Sequence, residues 1–93
     1  MLTELSKLQA TMSSFIDINI KIRTGRLSEQ DKLQGKRLYR EIDELVRNIG
    51  DHYLSTSWAD FERTYSYSTT EPWDHMKSME NRLYTLIRLE SAL

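Results

Sequence analysis

The chain has 93 residues, no cysteine and a formal net charge of −1, which excludes a disulfide framework, a thiolate site and a globally basic nucleic-acid or membrane-surface binder. Only 39% of its residues are hydrophobic, tyrosines included. That is lean for a domain that buries about 60–65% of its unfolded surface, and a second copy often completes such a core.

No apolar run approaches the roughly 18 residues of a membrane span, and the N-terminus lacks a basic stretch followed by an apolar block. The expectation is therefore a single helical domain over residues 1–93, cytoplasmic, with no membrane partner. Charge is unevenly spread: residues 21–47 carry eight bases and five acids, whereas residues 48–93 sum to −3.

In the first segment, Leu5, Leu8, Met12, Phe15, Asn19 and Ile22 alternate spacings of three and four, a heptad pattern. On that pattern Asn19 is a buried amide that fixes register. A competing signal is Ile16-Asp17-Ile18-Asn19-Ile20-Lys21-Ile22, a strict alternation of β-branched residues that suits a strand. Its only candidate partner is residues 64–69, where Tyr65 and Tyr67 alternate. Helix is the reading adopted here.

Thr24-Gly25-Arg26-Leu27 is short enough to force an antiparallel hairpin. Ser28-Glu29-Gln30-Asp31 then starts the clearest element, with a capping serine and two acids at the positive end of the helix dipole. Asp31 makes it a weaker relative of the Ser-x-x-Glu capping box. Leu38, Ile42, Leu45 and Ile49 mark one helix face, and Gly50 is a natural C-cap. Gly35 falls on the same stripe. It is either a tolerated surface position or the site of a close helix crossing.

Beyond Gly50 the composition changes. Six of the nine aromatics lie between Tyr53 and Trp73, interleaved with serines and threonines. Leu54, Trp58, Phe61 and Tyr65 keep helical spacing, predicting a short helix over about 52–65. Residues 66–71 read as a polar loop. Pro72 suits a first helical turn, and Met76, Met79, Leu83, Leu86 and Ile87 supply a stripe for a last helix running to Leu93. The predicted fold is all-α: a small bundle of a long antiparallel helix hairpin, a short aromatic helix and a long C-terminal helix.

Candidate chemistry is sparse. Asp51-His52 and Asp74-His75 are adjacent residues, which point about 100° apart on a helix and make no metal or general-base site alone. Surface or capping roles suit the two histidines better. Glycines are isolated, and no Ser-His arrangement or phosphate loop is present. No enzyme, cofactor or metal is expected.

Two surfaces remain. Arg23, Arg26, Lys32, Lys36 and Arg40 lie along one helix face and its approach, where phosphates would meet cations and a helix N-terminus. Tyr39 beside them could stack on a base. The alternative is a solvated face, since Arg37–Glu41, Arg40–Glu44 and Asp43–Arg47 are possible i, i+4 pairs.

The stretch Ile20-Lys21-Ile22-Arg23 to Leu27-Ser28-Glu29, running into a helix, resembles phage-encoded sponge proteins that sequester cyclic oligonucleotides. The resemblance spans about residues 20–46 and implies a small, helical, oligomeric nucleotide binder. The C-terminal stripe departs from that family's pattern.

Tyr, Trp, Ser and Thr together are also the composition of protein-recognition surfaces. Trp58 and Phe61 fall on core spacing, whereas Tyr65, Tyr67 and Trp73 flank the polar loop, Tyr67 and Trp73 outside the core stripes. These three are the candidate partner-binding residues. The favoured function is a binding module, an adaptor, regulator or inhibitor, that occupies a partner protein. The alternative is a nucleotide- or nucleic-acid-binding protein using the cationic face of residues 21–40. Self-association is expected from the lean core, Asn19 and Gly35.

Overall fold

The computed structural model describes residues 1–23, 25, 28–65 and 71–92. Among these residues four helices follow one another: α1 (Leu2–Arg23), α2 (Glu29–Ile49), α3 (His52–Thr64) and α4 (Glu71–Ser91). The chain is an all-α bundle in which α1 packs along α2 and α3 along α4. Lesser contacts join α1 to α4 and α2 to α3.

The helix boundaries follow local chemistry. Ser28 accepts from the Asp31 N–H at 3.1 Å, and the Asp31 carboxylate accepts from the Ser28 N–H at 3.3 Å. This closes a reciprocal capping box, although the third residue is Asp. Gly50 ends α2 in the left-handed region at φ 70°, where any residue with a side chain is strained. Asp51 at once caps α3, accepting from the Leu54 N–H at 3.1 Å. Pro72 lies buried in the first turn of α4, where its missing N–H is harmless. The helix ends at Ser91, two residues before the expected end.

The competing strand does not form: residues 16–22 are the last turns of α1. Burial explains why strand preference loses. Leu5, Leu8, Met12, Phe15, Ile18 and Asn19 all turn inward, a set that only helical spacing brings to one face. The isoleucine alternation is spread around the helix, with Ile16 half-buried and Ile20 54% exposed.

One core joins all four helices through Leu8, Phe15, Ile42, Leu54, Phe61, Met79 and Leu83, among others. The stripe expected of α2 is widened by buried Val46, with Ile49 only half-buried. Asn19 is buried too, but within its own chain. Its amide nitrogen donates to the Phe15 carbonyl at 2.8 Å, and its oxygen accepts from the Tyr65 hydroxyl at 2.7 Å. Gly35 faces α1, and a Cβ there would sit 3.6 Å from Ile18 Cγ2. Both residues that suggested contact with another copy thus have a neighbour inside the chain.

Candidate binding surface at the aromatic end of the bundle

The aromatics expected to divide between core and loop form one cluster. Phe61 is fully buried and stacks on Trp58 at 5.3 Å and Tyr65 at 4.9 Å. Phe15 and Trp73 meet it edge-on at 6.0 and 5.6 Å, within the range of favourable aromatic pairs. Polar handles fix the outer rings. Trp58 Nε1 donates to Asp43 at 2.9 Å, and the Tyr39 hydroxyl donates to Glu62 at 3.1 Å.

Burial raises the Tyr65 phenol above its usual range. Burial first, then the Glu62 charge, raises that of Tyr39. Both therefore act as neutral donors.

Tyr65 and Trp73, singled out as partner-binding residues, are half-buried against this cluster. Trp73 carries packing as well as surface, so its truncation lowers fold stability too. Tyr67 and Arg26 lie outside the described residues, and of Arg23 only the backbone is described.

Tyr65 is the C-cap of α3, yet its ring lies 6.0 Å from that of Tyr39, well inside α2. Residues 29–38 of α2 consequently run on past the end of α3. The molecule is 44 Å long, more than the roughly 33 Å of a 22-residue helix, which fits two hairpins offset along the axis.

That offset leaves a groove on each side of the second half of α1. One, of about 440 Å³, lies between α1 and α4 and is lined by Ile16, Ile20, Trp73 and Met76 with Lys77, Glu80 and Asn81. It continues past Ile16, Glu80 and Asn81 toward Tyr84, which is 59% exposed. The other, of about 480 Å³, lies between α1 and α2. Phe15, Ile18, Gly35, Tyr39 and Tyr65 line it with Leu33, Lys32, Lys36 and Arg40. Leu33 is 65% exposed.

Lys32, Lys36 and Arg40 thus share a groove, but its electrostatics differ along its length. At the α2 N-terminus, Glu29 holds Lys32 at 3.1 Å and Asp31 holds Lys21 at 3.7 Å. The hydrogen bond from the Ser28 backbone, more than any cation, keeps the Asp31 carboxyl below its usual range. Two of the protein's own carboxylates stand at the helix end expected to receive phosphate.

Further along, only one of the three possible i, i+4 pairs closes, Asp43–Arg47 at 3.2 Å. Lys36, Arg37 and Arg40 have no ion pair or hydrogen bond among the described residues. Tyr39 is held between Phe15, Trp58 and Tyr65 and is not a free platform for a base.

At the opposite end, Asp51 does double duty. It caps α3 and takes a bidentate pair from Arg82 of α4 at 3.0 and 2.8 Å. The Arg82 hydrogen bonds hold its carboxyl below the usual range. The sequence read Asp51 only as one half of an Asp-His pair. His52 is exposed, and among the described residues no cluster of three or more His, Asp or Glu side chains is placed to hold a metal ion. No described helix is long and apolar enough to cross a membrane.

Sequence reasoning missed Ile16, Ile20 and Leu33 as groove residues. For Leu33 a signal existed: it is a leucine off the Leu38–Ile42–Leu45–Ile49 stripe. Comparison with known proteins finds no family model that matches the chain, and no curated protein or solved structure similar to it.

Proposed function

We propose that this chain is a small non-enzymatic binding module that acts as an adaptor, regulator or inhibitor by occupying a partner protein. The observation that carries the reading is the open aromatic end. The second half of α1 runs between two grooves, and Ile20 and Leu33 stand more than half exposed at their rims. Clustered apolar surface rimmed by polar groups is characteristic of protein recognition. Its mechanism is steric, since the module needs only to cover a surface its partner uses elsewhere.

The test is capture from an extract of the native host, comparing the wild-type chain with Ile20→Asp and Leu33→Asp. Tyr53→Ala and Leu89→Ala, exposed substitutions near the other end, serve as controls. A partner held by wild type and controls and lost by either aspartate variant supports the reading. One retained by all four variants overturns this placement.

A second reading, anion binding on the cationic face, is favoured by Lys36, Arg37 and Arg40 having no counter-charge among the described residues. Binding of an oligonucleotide that weakens steeply with salt would establish it.

A further inference from the structure

The α1/α2 groove differs chemically from the α1/α4 groove. Its floor is Phe15, Ile18 and the bare backbone of Gly35, and exposed Leu33 forms one wall. Lys36 and Arg40 lie along the same opening, with Arg37 next to them in sequence. None of the three has an ion partner among the described residues. At the far tip the cations are already answered by Glu29 and Asp31.

A ligand for this groove must bring apolar surface to the floor and negative charge to the Lys36–Arg40 stretch only. A polyanion is a poor match, because its charge would continue past the carboxylates of Glu29 and Asp31 in the same groove. A peptide suits the pattern, since it can place an apolar side chain and a carboxylate a few ångströms apart.

We propose that the groove between α1 and α2 is the docking site for an acidic segment of a partner protein. An apolar anchor of that segment lies over Ile18 and Gly35 against Leu33, and its carboxylates face Lys36 and Arg40. Gly35 has a specific part in this: with no side chain of its own, it presents bare backbone to the groove beside Ile18. The inference rests on the protein-binding reading above and names the partner's chemistry.

The experiment is selection of a random displayed library of peptides of about sixteen residues against the intact chain. Recovered peptides are then titrated into the labelled protein and followed by amide chemical shifts. The expected peptides combine Asp or Glu with Leu, Ile, Phe or Trp and shift the amides of Ile18, Leu33, Gly35 and Lys36. Lys36→Glu with Arg40→Glu should weaken them about tenfold or more, as loss of close charge pairs does. Gly35→Leu should fill the floor and abolish binding. Gly35→Ala should keep it, and thermal melts of each variant separate lost binding from lost fold.

Peptides without acids, shifts mapping elsewhere, no recovered peptides, or indifference to the charge reversals each overturn the proposal. So does tight binding of a single-stranded oligonucleotide at this groove, or self-association that Gly35→Leu abolishes. If the captured host partner is lost by Ile20→Asp but kept by Lys36→Glu with Arg40→Glu, the general reading stands and this one falls.

Discussion

The two ends of the bundle are built from different materials. Around the α2–α3 turn the interior is aliphatic, with Leu5, Ile49 and Leu86 beside Gly50 and Asp51. The two-residue connection fixes α3 against α2, and the Asp51–Arg82 pair ties α4 to the same point. At the other end six aromatic rings share the interior, held by single hydrogen bonds to Asn19, Asp43 and Glu62. The difference teaches where each end can be used: the first is clamped around a smaller groove of about 280 Å³, and the second opens on larger ones of about 440 and 480 Å³.

The largest expected effect tests whether the aromatic cluster is core. Phe61→Ala should cost about 3–5 kcal/mol in urea unfolding, the range for deleting a fully buried ring. A loss under about 1 kcal/mol would mean the cluster is a surface feature, and the contrast between ends would fail.

At the clamped end, Asp51→Ala removes a helix cap and an ion partner together. It should cost at least the roughly 1 kcal/mol of a lost N-cap. Because the folded carboxyl is held below its usual value, its contribution is full above the unfolded pKa of about 4 and disappears as pH falls through the folded one. Asp51→Asn should therefore flatten the acid limb of stability below about pH 4. A limb unchanged by that substitution would show that the clamp is not the acid-sensitive element.

Tyr65→Phe probes a single tether. It leaves the buried Asn19 oxygen without its donor, at about 1–2 kcal/mol, and should disturb the aromatic end while amide exchange near Asp51 stays slow. Alkaline titration asks the same of both tyrosines. Their phenols are raised in the folded state, so the stability they confer is complete below about pH 10 and is lost as pH rises above it. Stability flat through that range in the wild type would show that the fold does not keep the two phenols buried.

The smallest effect has the opposite sign. Gly35→Ala places a methyl at ordinary contact distance from Ile18 and should gain up to about 1 kcal/mol from helix propensity. A loss instead would mean that the α1–α2 crossing is tighter than 3.6 Å implies.

What the sequence determined by itself was whatever a helix expresses within a few residues. The Ser28 cap, the Leu38–Ile42–Leu45 face, the Gly50 stop and the aromatic helix from His52 all follow from periodicity and capping, which act over one or two turns. Only the tertiary structure could decide between helix and strand for residues 16–22, because the local pattern fitted both and long-range burial of Ile18 and Asn19 settled it.

The same holds for the candidate site. The cations of residues 21–40 were legible as a row, but which of them keep a free charge depended on rotamers and on Glu29 and Asp31 reaching Lys32 and Lys21. Tyr65 and Trp73 looked like loop residues because their spacing ends where the helices do. They join the core because Phe15 and Asn19, some fifty residues earlier in the chain, arrive beside them. No local pattern encodes that meeting, since it depends on how far one hairpin is offset along the other.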